Sequence, residues 1–220
     1  MRSTSLVVGL CSLAINGQAV IVQDGGFESP QHSPGTYYYL SAPPTPPSVY
    51  QGVPRDFPNT SPWTFVDGGG VVHPPGAGFQ GDAAYEGHQF AFLQMEGSSI
   101  SQLIYLAGGS YQLDFAQQGR HDYEPCGGQL TYQVLLDNSV LGEFTSTPFS
   151  DWRAEQITFS APAGDYTLSF KGISTPPDLS RDQTVYLDGV SVAPVPEPST
   201  YLAGLSALGM LALFGWRNRK

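Results

Sequence analysis

Tyr111-Gln112-Leu113-Asp114-Phe115-Ala116 alternates large apolar side chains with polar or small ones at every step. A strand points successive side chains to opposite faces, so this spacing buries one face and wets the other. The same alternation recurs in Leu130-Thr131-Tyr132-Gln133-Val134 and in Tyr166-Thr167-Leu168-Ser169-Phe170-Lys171. One wet face per strand is the habit of antiparallel sheets. Further strands are predicted at residues 19–23, 90–94, 100–106, 155–160 and 184–192. Gly108-Gly109, Asp137-Asn138 and Gly164-Asp165 supply turn chemistry between them. No stretch of the body carries a helical period.

A short internal echo supports this layout. Ala107-Gly108-Gly109-Ser110-Tyr111-Gln112-Leu113-Asp114-Phe115 reappears as Ala163-Gly164-Asp165-Tyr166-Thr167-Leu168-Ser169-Phe170, less one residue. Each copy follows an apolar strand and is expected to turn it into a hairpin, as a two-sheet jelly roll requires. The expected fold is all-β: an antiparallel β-sandwich of the jelly-roll kind. Residues 30–81 break the rhythm with Pro43-Pro44-Thr45-Pro46-Pro47, Gly68-Gly69-Gly70 and Pro74-Pro75-Gly76. They are predicted to form a long Pro/Gly-rich decorated connection with one firm strand at 63–66.

Composition agrees. The 220 residues include 26 Gly, 19 Pro, 12 Phe, 12 Tyr and 3 Trp, with 13% charged. Such a mixture favours short strands joined by turns and supplies apolar area for a core. Between Asp24 and Asp188 lie 18 acids against five basic residues: Arg55, Arg120, Arg153, Lys171 and Arg181. So acidic a body repels nucleic acid, which is excluded as a partner, and anionic lipid too. Cys11 falls in the first segment, leaving Cys126 alone in the body, so no internal disulfide framework exists.

The two ends read as processing segments. Arg2, an apolar run over residues 6–15 and Gly17-Gln18-Ala19 make a secretory signal over residues 1–19, cleaved after Ala19. The β-sandwich domain then occupies 20–193. Residues 201–216 carry no charge and form a predicted transmembrane helix, with Trp216 at its interface and Arg217-Asn218-Arg219-Lys220 on the cytoplasmic side. Val195-Pro196-Glu197-Pro198, the apolar segment and the basic tail together resemble the PEP-CTERM sorting signal of exported proteins in exopolysaccharide-producing Gram-negative bacteria. The resemblance covers residues 194–220. It implies processing by an exosortase, membrane attachment through the helix before processing, and a final place in the cell envelope, on the surface or in the extracellular matrix.

A second resemblance spans the body. Asp24-Gly25-Gly26-Phe27-Glu28, Trp63, Glu86-Gly87-His88-Gln89-Phe90, Ile100-Ser101-Gln102, the 111–115 strand with Arg120, and Tyr186-Leu187-Asp188-Gly189-Val190 follow in order. This succession resembles the galactose-binding-domain-like jelly rolls of carbohydrate-binding modules. The resemblance implies a structural calcium ion joining the first segment to the last strand, which falls here on Asp24, Glu28 and Asp188. A hard cation takes carboxylate and carbonyl oxygens, so the residue types suit it. The alternative is that Glu28 caps backbone or pairs with an arginine while Asp188 faces solvent.

Sugar binding needs aromatic platforms beside hydrogen-bonding groups. The candidates are Tyr37, Tyr38, Tyr39 and Trp63, with Arg120 and Tyr123 after a strand. Three consecutive bulky residues cannot all point inward from a strand, which favours Tyr37 to Tyr39. Core packing is the competing account of Trp63. Catalysis finds no constellation: His32, His73, His88 and His121 show no metal-ligand pairing, and neither a nucleophile elbow nor a phosphate loop is present. Glu86, Glu96 and Glu124 are acids in an acidic protein. The expectation is a non-catalytic, glycan-binding surface or matrix protein, with exopolysaccharide as the glycan; the alternatives are a matrix protein acting by self-association and, last, a glycoside-active enzyme.

Overall fold

A computed structural model describes residues 21–40, 60–75, 83–120, 128–174 and 183–195, and the backbone of two short strands at 49–50 and 53–54. The expected signal peptide and the apolar span at 201–216 lie outside these residues. Among the described residues there is no helix, so none is long and apolar enough to cross a membrane.

Eleven strands run in chain order: β1 Thr36–Tyr39, β2 Val49–Tyr50, β3 Val53–Pro54, β4 Thr64–Val66, β5 Gly69–His73, β6 Phe90–Gln94, β7 Ser99–Gly119, β8 Thr131–Leu136, β9 Ser139–Thr145, β10 Arg153–Ser174 and β11 Thr184–Pro194. β2 and β3 form a separate pair; the others hydrogen-bond in the order β1-β5-β6-β11-β7-β10-β8-β9, with β4 beside β7. Every paired strand is antiparallel.

The echoed segments do not form two hairpins. Each lies in the middle of one long strand, and the two strands pair with each other from Arg153↔Gln117 to Lys171↔Ser99. Ala107 pairs with Ala163 and Gly109 with Ala161, so the two glycine-bearing stretches make one shared corner. Gly108 and Gly109 take φ of 89° and 125°, a region in which side chains are strained. They let β7 bend and reverse its facing: even-numbered residues 100 to 106 point inward before the corner, odd-numbered 111 to 115 after it.

That bend folds one hydrogen-bonded path into two layers. Phe170 pairs with Ile100, fifteen residues before Phe115 on β7. A straight strand would separate the two levels by about 50 Å at 3.3 Å per residue, yet the Phe115 and Phe170 rings lie 5.3 Å apart. The first half of β7 and second half of β10 join β4, β8 and β9 in one layer. Their other halves join β11, β6, β5 and β1 in the second. Ile100, Leu113, Phe115, Tyr132, Val134, Leu168, Phe170, Val185 and Leu187 fill the space between. The expected β-sandwich is therefore the fold.

Residues 30–81 hold more order than a connection with one strand. They supply β1, β2, β3, β4 and β5, two of which extend the second layer. Gly69-Gly70, expected as loop, starts β5 because a side chain there has no room: a Cβ on Gly70 would lie 2.1 Å from the Tyr38 carbonyl oxygen and 2.6 Å from Phe92 Cζ. β9 also completes a hairpin at Asp137, where the expected turn is found. Residues 21–23, the described part of the strand expected at 19–23, take bends instead.

Candidate functional site

The outer face of the second layer carries its own aromatic cluster: Phe90, Phe92, Tyr186 and Val72 are fully buried under Tyr37, Tyr39 and Trp152. Beside it, the loop at residues 83–89 is held from both ends of the chain. Glu28 Oε1 accepts the His88 N–H at 2.6 Å and the Gln89 N–H at 2.9 Å. Asp188 Oδ2 accepts the Glu86 N–H at 3.0 Å, and its Oδ1 the N–H of Gly189 at 2.8 Å. Gln89, fully buried, donates to the carbonyls of Phe27 and Pro30 and accepts the His32 N–H. The loop is thus fixed to residues 27–32 and to β11 without a disulfide.

Asp188 is buried completely. Burial pushes its carboxyl up from 3.8 to about 7, against the backbone N–H groups of Glu86 and Gly189 that hold it down; the nearby Glu86 charge raises it further. Asp24 is also raised, first by burial, although the N–H groups of Glu28 and Ser29 bond its two oxygens at 2.7 and 3.1 Å.

These contacts decide how far the three acids suit calcium. Each turns oxygens toward backbone N–H dipoles, which present the positive charge a cation would otherwise supply. Among the described residues, no group of three or more His, Cys, Asp and Glu side chains converges to hold a metal ion. Asp24, Glu28 and Asp188 thus already have backbone partners for their carboxylates. Glu28 takes the capping alternative, while Asp188 is buried rather than solvent-facing.

The clamped loop walls two adjoining clefts. One, of about 270 Å³, is lined by His73, Pro74, Pro75, Ala83, Ala84, Gly87 and His88. The other, of about 470 Å³, is lined by Gln31, His32, Ser33, Pro34, His73 and His88. Small-molecule sites typically span about 300–1,000 Å³, and His73 and His88 line both clefts. A third hollow, lined by Gln117, Gly119, Thr147, Asp151, Arg153 and neighbours, holds about 70 Å³, too little for a sugar ring.

Chemistry at the histidines both clefts share follows from one bond. His73 Nδ1 lies 2.6 Å from the His32 carbonyl oxygen, which can only accept. The proton is therefore on Nδ1, and in the neutral ring Nε2 is an acceptor. The His73 and His88 ring centroids are 6.0 Å apart and near-parallel, at 20°. His32 packs on Tyr38 at 4.1 Å, and burial, then the nearby His73, lowers its pKa from 6.5. On the same loop as His88, Tyr85 is 51% exposed, with its ring 6.0 Å from Trp152. Trp152 donates its Nε1–H to the Ala83 carbonyl at 2.9 Å.

The expected sugar-binding residues scatter. Tyr37 and Tyr39 alternate with Tyr38 as a strand demands: the first two cover the outer cluster, while Tyr38 packs against the main core. All three are half-buried. Trp63 is corrected to a core residue, 1% exposed, against Phe27 at 5.1 Å and bonded through Nε1 to the Asp24 carbonyl. Arg120 is corrected likewise: its side chain is 5% exposed and offers no surface contact. Tyr123, with His121 and Glu124, lies outside the described residues. Sequence reasoning missed Tyr85, Trp152 and the meeting of His32, His73 and His88, because residues so far apart in the chain are joined only by strand pairing.

At the far end of β11, the Val195 N–H donates to the Ser110 carbonyl at 2.8 Å, so the chain leaves the sandwich at the corner of β7. Residues 194–220 match the PEP-CTERM protein-sorting motif. The motif marks the chain for export and exosortase processing, as a protein of the cell envelope or surface. It begins where β11 ends, so the sorting motif follows the sandwich without a linker. No curated protein matches the sequence. Among solved structures, the chain is similar to TmCBM61 in complex with β-1,4-galactotriose, at 14% identity over 81% of this chain and 100% of that one, with a TM-score of 0.49. It is also similar to the CBM22-1 xylan-binding domain of Paenibacillus barcinonensis Xyn10C, at 14% identity, 63% and 88% coverage and a TM-score of 0.44. A CBM36 module in complex with calcium and xylotriose shares 14% identity, with 56% and 87% coverage and a TM-score of 0.39.

Proposed function

We propose that the protein is a non-catalytic glycan-binding β-sandwich, cut free of its signal peptide after Ala19 and processed at its tail by an exosortase-type enzyme. Before processing, the apolar segment at 201–216 holds it in the membrane. Afterwards it acts on the surface or in the exopolysaccharide matrix of a Gram-negative bacterium. The observation that carries the reading is the pair of clefts that His73 and His88 both line. The clefts offer an imidazole acceptor on His73 and polar groups from Gln31 and Ser33, and the loop clamped at both ends also carries the exposed Tyr85 ring. Sugars bind by hydrogen bonds in their plane and by stacking on aromatic faces, and both kinds of group are present here.

Isothermal titration of the full chain in detergent with exopolysaccharide fragments tests the reading. Binding that weakens in Tyr85→Ala and His73→Ala supports it; no heat with any neutral or acidic glycan overturns it. A second reading, a matrix protein that self-associates, is favoured by a separate observation: Leu103 and Tyr105 are 71% and 61% exposed on β7.

A further inference from the structure

We propose that two copies of this chain join edge to edge through the first half of β7, at residues 102–106, in an antiparallel pair related by a two-fold axis. The proposal deepens the self-association reading and is independent of glycan binding.

Among the described residues, the strand has one side left unpaired. β4 covers β7 only from Ser99 to Ser101, while β10 covers the whole opposite side. β11 meets β7 only from Tyr111 onward. Among the described residues, no strand pairs with residues 102–106 on the β4 side. An unpaired edge presents a row of N–H and C=O groups that template another strand, and proteins commonly block such edges with lysine, proline or a bulge.

This edge carries none of those blocks. No charged residue and no proline lies between Glu96 and Asp114 in a chain with net charge −10. Copies of so acidic a protein repel one another over most of their surface. The neutral stretch is where two can approach at the least electrostatic cost. Leu103 and Tyr105 are also the two most exposed large apolar side chains described.

Register selects a second copy over another partner. In an antiparallel pair centred on Ile104, Leu103 lies opposite Tyr105 of the second copy, and Tyr105 opposite its Leu103. Paired residues share a face, so both exposed side chains are covered by one another. Ile104, 2% exposed and facing the core, meets its own copy and continues the interior across the junction. One strand thus supplies both halves of a self-complementary contact, as a two-fold interface requires.

The test measures the mass of the full chain in detergent by light scattering over a range of concentrations. Wild type is expected to form dimers, and Leu103→Lys and Tyr105→Lys to raise the dimer dissociation constant at least about tenfold with the melting temperature unchanged. A disulfide provides a second readout. With Cys11 and Cys126 changed to Ser, the double variant Leu103→Cys/Tyr105→Cys should cross-link into dimers on oxidation, and Val140→Cys, exposed on β9, should not. A monomeric wild type at every concentration overturns the self-association reading together with the proposal. A dimer that survives both lysine variants, or that cross-links equally through Val140→Cys, overturns the edge alone.

Discussion

The Asp188 carboxylate accepts the backbone N–H of Glu86 at 3.0 Å, while the negative side chain of Glu86 adds to its cost of ionising. Asp188 therefore holds the 83–89 loop as a buried acid whose carboxyl has risen to about 7, chiefly through burial.

The pH dependence of stability follows from that rise. A folded-state value raised above the unfolded 3.8 means the stability is fully present below about pH 4 and lost as pH rises through 7. Every tenfold gain in proton affinity on folding corresponds to about 1.4 kcal/mol, and solvent relaxation around the site reduces the total. Comparing Asp188→Asn with wild type by urea unfolding at pH 4 and pH 8 should show wild type losing at least ~1 kcal/mol relative to the variant. A difference that is the same at both pH values would refute the assignment. His32 acts in the opposite sense: its lowered value contributes stability above about pH 6.5 that is lost as pH falls.

Calcium should leave the melting temperature unchanged. The carboxylates of Asp24, Glu28 and Asp188 are already bonded to backbone N–H groups, which hold the first segment, the 83–89 loop and β11 together without a cation. A melting curve in millimolar calcium that superimposes on one in chelator is the expected result. A calcium-dependent rise that disappears in Asp188→Ala would show instead that the three acids rearrange around an ion.

On the clamped loop, Tyr85→Ala removes an exposed ring and should weaken glycan binding about five- to tenfold, near 1 kcal/mol for one aromatic contact. His73→Ala should weaken it further and also loosen residues 31–34, since Nδ1–H holds the His32 carbonyl. Trp63→Ala separates a platform from a core residue. It should cost about 3–5 kcal/mol of stability, with glycan affinity unchanged in the fraction that remains folded.

Two-residue alternation revealed the strands around Leu113, Val134 and Leu168, because one face of each is buried and burial imposes the period. The corner at Gly108-Gly109 was visible as a break but not as a bend. Glycines with positive φ serve a hairpin and a kinked strand alike, and only pairing partners distinguish them. β5 escaped notice for the converse reason, since its glycines are selected by close approach of Phe92 and the Tyr38 carbonyl rather than by a turn. The site was least legible. Trp63 and Arg120 have the residue types of a binding surface and the burial of a core, while His32, His73 and His88 are neighbours only after β1, β5 and β6 have paired.

Gly70 tests that packing directly. It pairs with Tyr39 on one side and Phe92 on the other, and those two rings meet edge to face with centroids 5.3 Å apart. The added Cβ of Gly70→Ala would lie 2.6 Å from Phe92 Cζ and 2.1 Å from the Tyr38 carbonyl oxygen. A ring can tilt, but the carbonyl belongs to the backbone of β1 and can move only if the strand moves. The substitution should therefore destabilise the protein by about 2–3 kcal/mol, the upper part of the overpacking range, with loss measured by thermal or urea unfolding. Truncating the ring in Gly70→Ala/Phe92→Ala should recover only part of that cost, because the carbonyl clash remains. Full recovery in the double variant would assign the whole constraint to the ring and none to the approach of β1.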